Sequence, residues 1–458
     1  MRRAWSRGAR AISLISLVFS AVPGCGGDDL AACDDLASAL AGASTGDTVR
    51  LGACEVTGEF AVPPGVTLRG AGPASSIVRG SPDGVALTLS AGSRLSALAV
   101  VAEGAGAIDA PEGGIALEDL RVTVTRGYGI RITDGGAALS RVFIEGPVTA
   151  DNAGSIAPNP EPAGTATHGL YLSRVGTESE PAVLTEVSVR GFARFGVLMR
   201  DSFVEWTGGG ADGNLTTGLM MAGGVLTLED VSLCGTLQGI QPLPAYAGVF
   251  TAGARVSTAG VMVCDGDGYG LLHDGVEASH ADLVGMGNGD AALWVQRGGA
   301  FELGGSATVL SGNRVAGIVL VETPVVTISD ARIDGSILGT RVEGEVGAIR
   351  VGDGIQAVVA STASIQIRDV QLAGNERVGI LLDVGDAMVA DTALAGVTVD
   401  GSGTELGVVA QSPAGLIGPG AWSSGVMRLG ATVDNDLAVG APLDIVGIVG
   451  PMFLPRLD

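Results

Sequence analysis

Apolar and polar positions alternate in short runs along most of this chain, and one unit keeps returning. It is a small step, usually Gly-aliphatic, with alternating apolar residues behind it. It reads "YGIRI" at 128–132, "HGLYL" at 168–172, "FGVLM" at 195–199, "TGLMM" at 217–221, "AGVFT" at 247–251 and "YGLLH" at 269–273. It continues as "AALWV" at 291–295, "AGIVL" at 316–320, "GAIRV" at 347–351, "VGILL" at 378–382 and "LGVVA" at 406–410. A second alternating run follows many of these steps, as in "LTLEDVSLCG" and "IQIRDVQLAG". Two-residue alternation broken by Gly, Asp and Asn predicts short strands and tight turns. No helical pattern of useful length intervenes. The steps are about 28 residues apart on average, a period that, made only of strands, predicts a β-solenoid. Each coil is expected to give about three strands, stacked in parallel at roughly 4.8 Å. About 12–14 coils are expected, because one coil cannot bury its inner face alone and stacking turns inward residues into columns.

The ends break the pattern. Leu30, Cys33, Leu36 and Leu40 recur at helical spacing with Gly42 just beyond, which predicts a short helix capping the first coil. Arg2, Arg3, Arg7 and Arg10 precede an apolar stretch, Ala11 to Val22, too short to cross a bilayer as a helix. The expected organisation is a signal peptide at 1–24, a tether and cap helix at 25–45, the solenoid at 46–414 and a C-terminal cap at 415–458.

The opening of the body, "ALAGASTGDTVRLGACEVTGEFAVPPGVTLRGAG", resembles the N-terminal coil of pectin-lyase-like proteins. The resemblance covers about residues 30–415 and implies an all-β, right-handed parallel β-helix. "VPGC" at 22–25 resembles a bacterial lipobox, although Pro23 departs from the motif. That implies lipidation of Cys25 and an outer-membrane lipid as partner, on the periplasmic face or the cell surface. Gly26 fits outer-membrane sorting by the same resemblance. The alternative is ordinary cleavage with Cys25 free or disulfide-bonded. Four further cysteines leave two local pairs, Cys33–Cys54 and Cys234–Cys264. Cys234 and Cys264 follow Gly218 and Gly248 by the same interval, so they occupy equivalent positions of successive coils, at a separation a disulfide spans.

Charge narrows the partners. There are 49 acidic residues against 26 basic ones, a net of -23, and every basic residue is Arg. Such a field repels nucleic acid, so no nucleic-acid partner is expected. Many pectin-lyase-like proteins cleave acidic polysaccharides. The hydrolase branch's Asn-Thr-Asp, Gly-His-Gly and Arg-Ile-Lys motifs are absent; of the Lys or Arg that lyase branches use as base, only Arg is present. No catalytic residue is assigned.

One region gathers candidate chemistry. The interval between Gly129 and Gly169 holds an insertion, and "RVGTESEP" follows at 174–181. Long loops on a rigid scaffold carry binding. His168, Tyr171, Arg174, Arg190, Arg194 and Arg200 follow one another closely there. Arginine beside aromatic rings suits an anionic sugar, by charge-assisted hydrogen bonds and stacking. The competing reading is a solvated face over core aromatics. His273 and His280 read as structural or surface residues. Turn acids at Asp265, Asp267, Asp353, Asp434 and Asp436 are the sites where Ca²⁺ would bind if it bound at all; tight turns use Asp for their own sake. No cofactor or resident metal is expected. The functional expectation is a cell-envelope lipoprotein, structural or binding a surface polysaccharide or envelope protein. The alternative is a carbohydrate-active enzyme, a lyase on acidic polysaccharide.

Overall fold

The computed structural model describes residues 30, 31 and 33, then 35–153, 166–238, 245–337, 339–343, 347–358 and 363–383, with short strands between 391 and 429. Those residues form a parallel β-helix of about 13 turns, consistent with right-handed winding. Three parallel sheets run along it. The first carries the recurring step and includes Gly127–Thr133, Ala166–Ser173 and the start of Phe195–Asp212. The second begins with Thr48–Arg50 and Thr67–Arg69, the third with Glu55–Thr57 and Ile77–Arg79.

Alternation becomes columns. In the second sheet Leu68, Leu95, Leu117, Leu139, Leu184, Trp206 and Leu228 lie in register, one per coil, all buried. Truncating any of these leucines to alanine removes packing on the coils above and below, at a cost of about 2–5 kcal/mol. The column then changes character. Thr258 and His280 take the next two places before Leu303, Ile328 and Ile367 restore it.

The glycine of the step has a steric cause. A Cβ on Gly169 would sit 2.1 Å from a Val189 methyl, and one on Gly129 would sit 2.4 Å from the Gly169 carbonyl oxygen. The chain passes too close to the third sheet and to the next coil for any side chain. This crowding interrupts the alternation, so Tyr128, His168 and Phe195, the residues before Gly129, Gly169 and Gly196, face outward.

The ends and one insertion differ from expectation. Leu36–Gly42 is the cap helix, N-capped by the Asp35 carboxylate accepting from the Ser38 amide, with Leu36 and Leu40 buried. Leu30 does not belong to it: Leu30–Ala31 is a strand paired in parallel with Thr48–Arg50. There it covers the open edge of the second sheet. "GAIRV" at 347–351 is also not a coil strand. It folds back antiparallel on Gly339–Glu343, and Asp353–Val358 takes its place in the first sheet. Both segments carry the same alternation, and pattern alone does not choose between them. Beyond 414, Met427–Leu429 still pairs with the second sheet. Cys33–Cys54 and Cys234–Cys264 are both bonded, with Cα separations of 6.1 and 4.5 Å. The signal segment and Cys25 lie outside the described residues, as do Asp434 and Asp436.

Candidate functional site

Register builds a groove on the outer face of the first sheet. Tyr128, His168 and Phe195 stack in one row, and Arg131, Tyr171 and Leu198 in the next. Arg194 sits in the turn before Phe195, and Arg200 extends from the strand just past Leu198. Together Tyr128, Arg131, His168, Tyr171, Arg194, Leu198 and Arg200 line a cavity of about 370 Å³. That lies within the range of small-ligand pockets.

Its polar groups are not equivalent. Arg131 is held by Asp109 one coil below, with Nε–Oδ1 at 2.8 Å and Nη2–Oδ2 at 2.6 Å, and its guanidinium lies 4.8 Å from the Tyr128 ring centre. Tyr128 has its hydroxyl buried without a hydrogen-bond partner, and burial, then the Asp109 charge, push its pKa up to about 12. Arg194 lies 5.2 Å from the Phe195 ring centre. Neither Arg194 nor Arg200 has a carboxylate partner among the described residues. His168 stacks on Phe195 at 5.4 Å, and its Nδ1 lies 2.8 Å from the Thr167 hydroxyl. Burial first, then the Arg194 and Arg200 charges, push its pKa down to about 4. It is a neutral imidazole at pH 7.

Two expected members stand elsewhere. Arg190 lies on the third sheet, above Glu145, with Nε 3.1 Å from Oε1 and its guanidinium 4.8 Å from the Phe143 ring centre. Arg174 occupies the corner after Ser173 with φ +54°, and its Nε donates to Asp134 at 2.7 Å. Closeness in sequence misleads here, because one coil visits three faces. The loop at 174–181 does not wall the groove either: Glu178 reaches along the helix axis to Arg255 at 2.8 Å. Conversely, Tyr128 and Arg131 belong to the groove and were not foreseen. Laying "YGIRI" over "HGLYL" puts Tyr128 under His168 and Arg131 under Tyr171.

The same face carries more rings. Tyr246 stacks on Tyr269 at 5.3 Å, and Tyr269 meets Trp294 edge-on at 5.2 Å, around an apolar cluster separate from the core. All four tyrosines of the chain therefore stand on this one sheet face.

His273 and His280 are core residues, 0% and 3% exposed. Their Nε2 atoms are 3.1 Å apart, and His280 Nδ1 lies 2.8 Å from the Thr258 hydroxyl. His273 Nδ1 has no partner. Asp353 is fully buried against Arg377, whose Nε donates at 2.7 Å; burial pushes its pKa up against that pairing. Asp267 accepts from the Gln238 amide at 3.0 Å, a turn contact. No group of three metal-ligating side chains occurs among the described residues.

No protein-family model and no curated protein matches the chain. Solved structures similar to it include "a new PL6 alginate lyase complex with trisaccharide", at TM-score 0.41 and 9% identity, covering 82% of this chain and 84% of that one. Another is the A-module of mannuronan C-5 epimerase AlgE6 from Azotobacter vinelandii, at TM-score 0.37 and 13% identity over 90% and 97%. A third is the catalytic domain of GH87 α-1,3-glucanase in complex with nigerose, at 0.33 and 13%; the chain spans 63% of that domain. These likenesses concern the fold alone.

Proposed function

We propose that this chain is a cell-envelope binding protein, tethered through Cys25 to the outer membrane, whose first-sheet groove holds an acidic saccharide. The observation that carries the reading is a pair of arginines, Arg194 and Arg200, without carboxylate partners among the described residues, in a chain of net charge -23. Elsewhere arginines such as Arg79, Arg121, Arg141 and Arg297 pair with acids on neighbouring coils. Unpaired guanidinium forks suit a carboxylate or sulfate, and the rings of Tyr171 and His168 offer flat faces to a sugar. The lipobox-like "VPGC" and the Gly and Asp residues of "GGDD" behind it support the tether.

The test is a glycan-binding screen of the full disulfide-bonded chain against acidic and neutral saccharides, repeated with the Arg194→Ala/Arg200→Ala variant. Retention of acidic saccharides by the parent and not by the variant is expected. Equal retention by both contradicts the site. Mass spectrometry of the processed N-terminus tests the tether, and an unmodified Cys25 ends it.

One observation favours a lyase as the second reading. His168 is a neutral imidazole beside two arginines and Tyr171, and a uronate carboxylate that offsets those arginines removes part of what lowers its pKa, as a proton-accepting role requires. Ultraviolet absorbance of unsaturated ends, on incubation with polyuronates, decides between binding and cleavage.

A further inference from the structure

Charge is distributed unevenly along the face that carries the groove, and this restricts the ligand. Below the groove the row of Tyr171 continues through Arg131 to Asp109 and Thr88. Arg131 is already occupied: Asp109 takes both ends of its fork. Above Leu198 the row continues through Met220, Val249 and Leu272, none of them charged. The parallel row above Phe195 runs through Thr217 to Tyr246 and Tyr269, again without a cation. Coils follow one another at about 4.8 Å, so among the described residues of these rows the cations without a carboxylate partner, Arg194 and Arg200, span a short length of the face.

Around that length the surface offers no further free cation among the described residues. Asp201 follows Arg200 directly and is exposed, Glu180 is exposed on the adjacent loop, and Arg174 and Arg255 are already taken by Asp134 and Glu178. A saccharide charged at every unit would set further carboxylates against Met220 and Val249, or against Asp109. Each would lose hydration without gaining a cation, which costs free energy. A saccharide with one anionic group places it between Arg194 and Arg200 and lays neutral sugar along the uncharged rows.

We infer that the groove selects a saccharide carrying a single acidic group on an otherwise neutral chain, such as a terminal uronate, over a polyuronate. The inference rests on the binding reading above and narrows it.

Isothermal titration of the full disulfide-bonded chain decides it, with three probes of equal length. They are maltotetraose, its analogue ending in one glucuronic acid, and tetragalacturonate. The single-acid probe is expected to bind at least tenfold tighter than maltotetraose. Tetragalacturonate is expected to bind no tighter than the single-acid probe. Arg194→Ala and Arg200→Ala each reduce single-acid binding toward the maltotetraose level, Arg200→Lys recovers part of it, and Arg174→Ala leaves it unchanged. Affinity that climbs with the number of uronates overturns the inference while leaving acidic-saccharide binding intact. Absence of binding by all three probes removes both. The substituted arginines are exposed, and thermal melts of each variant confirm folding before titration.

Discussion

His168 and the pair His273–His280 show how one residue type reports two different environments. All three imidazoles have depressed pKa values. In the groove His168 is partly open, stacked on Phe195 and facing two cations. In the core, His280 is depressed by burial, and His273 by burial and then by His280. Phe250 stacks on His273 at 4.9 Å, Phe301 packs against both rings, and Val295 and Leu303 follow in the next coil. No charged side chain occupies their places in these columns. The groove histidine answers to what arrives from solvent; the core pair answers only to folding. Electrostatic depression alone therefore does not mark a site, and access to a ligand does.

The largest effect expected from this contrast is acid sensitivity of the fold. The core imidazoles stay neutral in the folded chain and take up protons on unfolding, so the unfolded state binds more protons below its ordinary pKa of about 6.5. Stability is full above that pH and falls as pH drops from 6.5 toward about 4, the value of His280. His280 alone contributes a loss of about 3 kcal/mol across that window. Thermal melts from pH 7.5 to 4.5 measure it. A His273→Leu/His280→Leu variant is expected to flatten the slope, since apolar residues flank both places: Phe250 and Val295 bracket His273, and Leu303 follows His280. An unchanged slope shows that the pair is not its cause.

Next in size is the groove. Arg200→Ala is expected to weaken acidic-saccharide binding by roughly tenfold to a hundredfold, the range of a hydrogen bond to a charged group. Melting temperature should stay near the parent's, because Arg200 is exposed and has no carboxylate partner among the described residues. A smaller effect concerns pH. A bound anion offsets the Arg194 and Arg200 charges at His168, so its pKa rises on binding and protons are taken up. Affinity for a sulfated saccharide, whose own charge is fixed, should increase as pH falls from 6.5 toward 4. His168→Gln should remove that increase. The smallest effect is expected at Arg174→Ala: its pair with Asp134 is solvent-exposed and screened, so melting temperature and binding should both stay at the parent's values.

The columns were legible in the sequence because alternation and burial are the same physics seen twice. Val122, Ile144 and Val189 of the third sheet lie where two-residue alternation puts them. Cys234 and Cys264 were legible too: they are in register as their equal offsets from Gly218 and Gly248 predict, although Gly248 itself pairs with Leu219 and a bulge between Ala222 and Gly224 restores the count. The segment 347–351 was not, since a hairpin strand and a coil strand share one pattern. The site was half legible. His168, Tyr171, Arg194 and Arg200 were named from local density, but that density also drew in Arg174 and Arg190, which turn to other faces. Tyr128 and Arg131 escaped because the insertion separates by 40 residues what register places side by side. The burial of His273 and His280 had no sequence signal beyond their place in alternating strands.

The most direct measurement is a crystal structure of the chain soaked with an oligosaccharide ending in a single glucuronic acid. The uronate carboxylate is predicted to lie between the Arg194 and Arg200 guanidinium groups, with a sugar face toward Tyr171. Ligand density on another face, or a first-sheet groove empty at saturating ligand, contradicts the account.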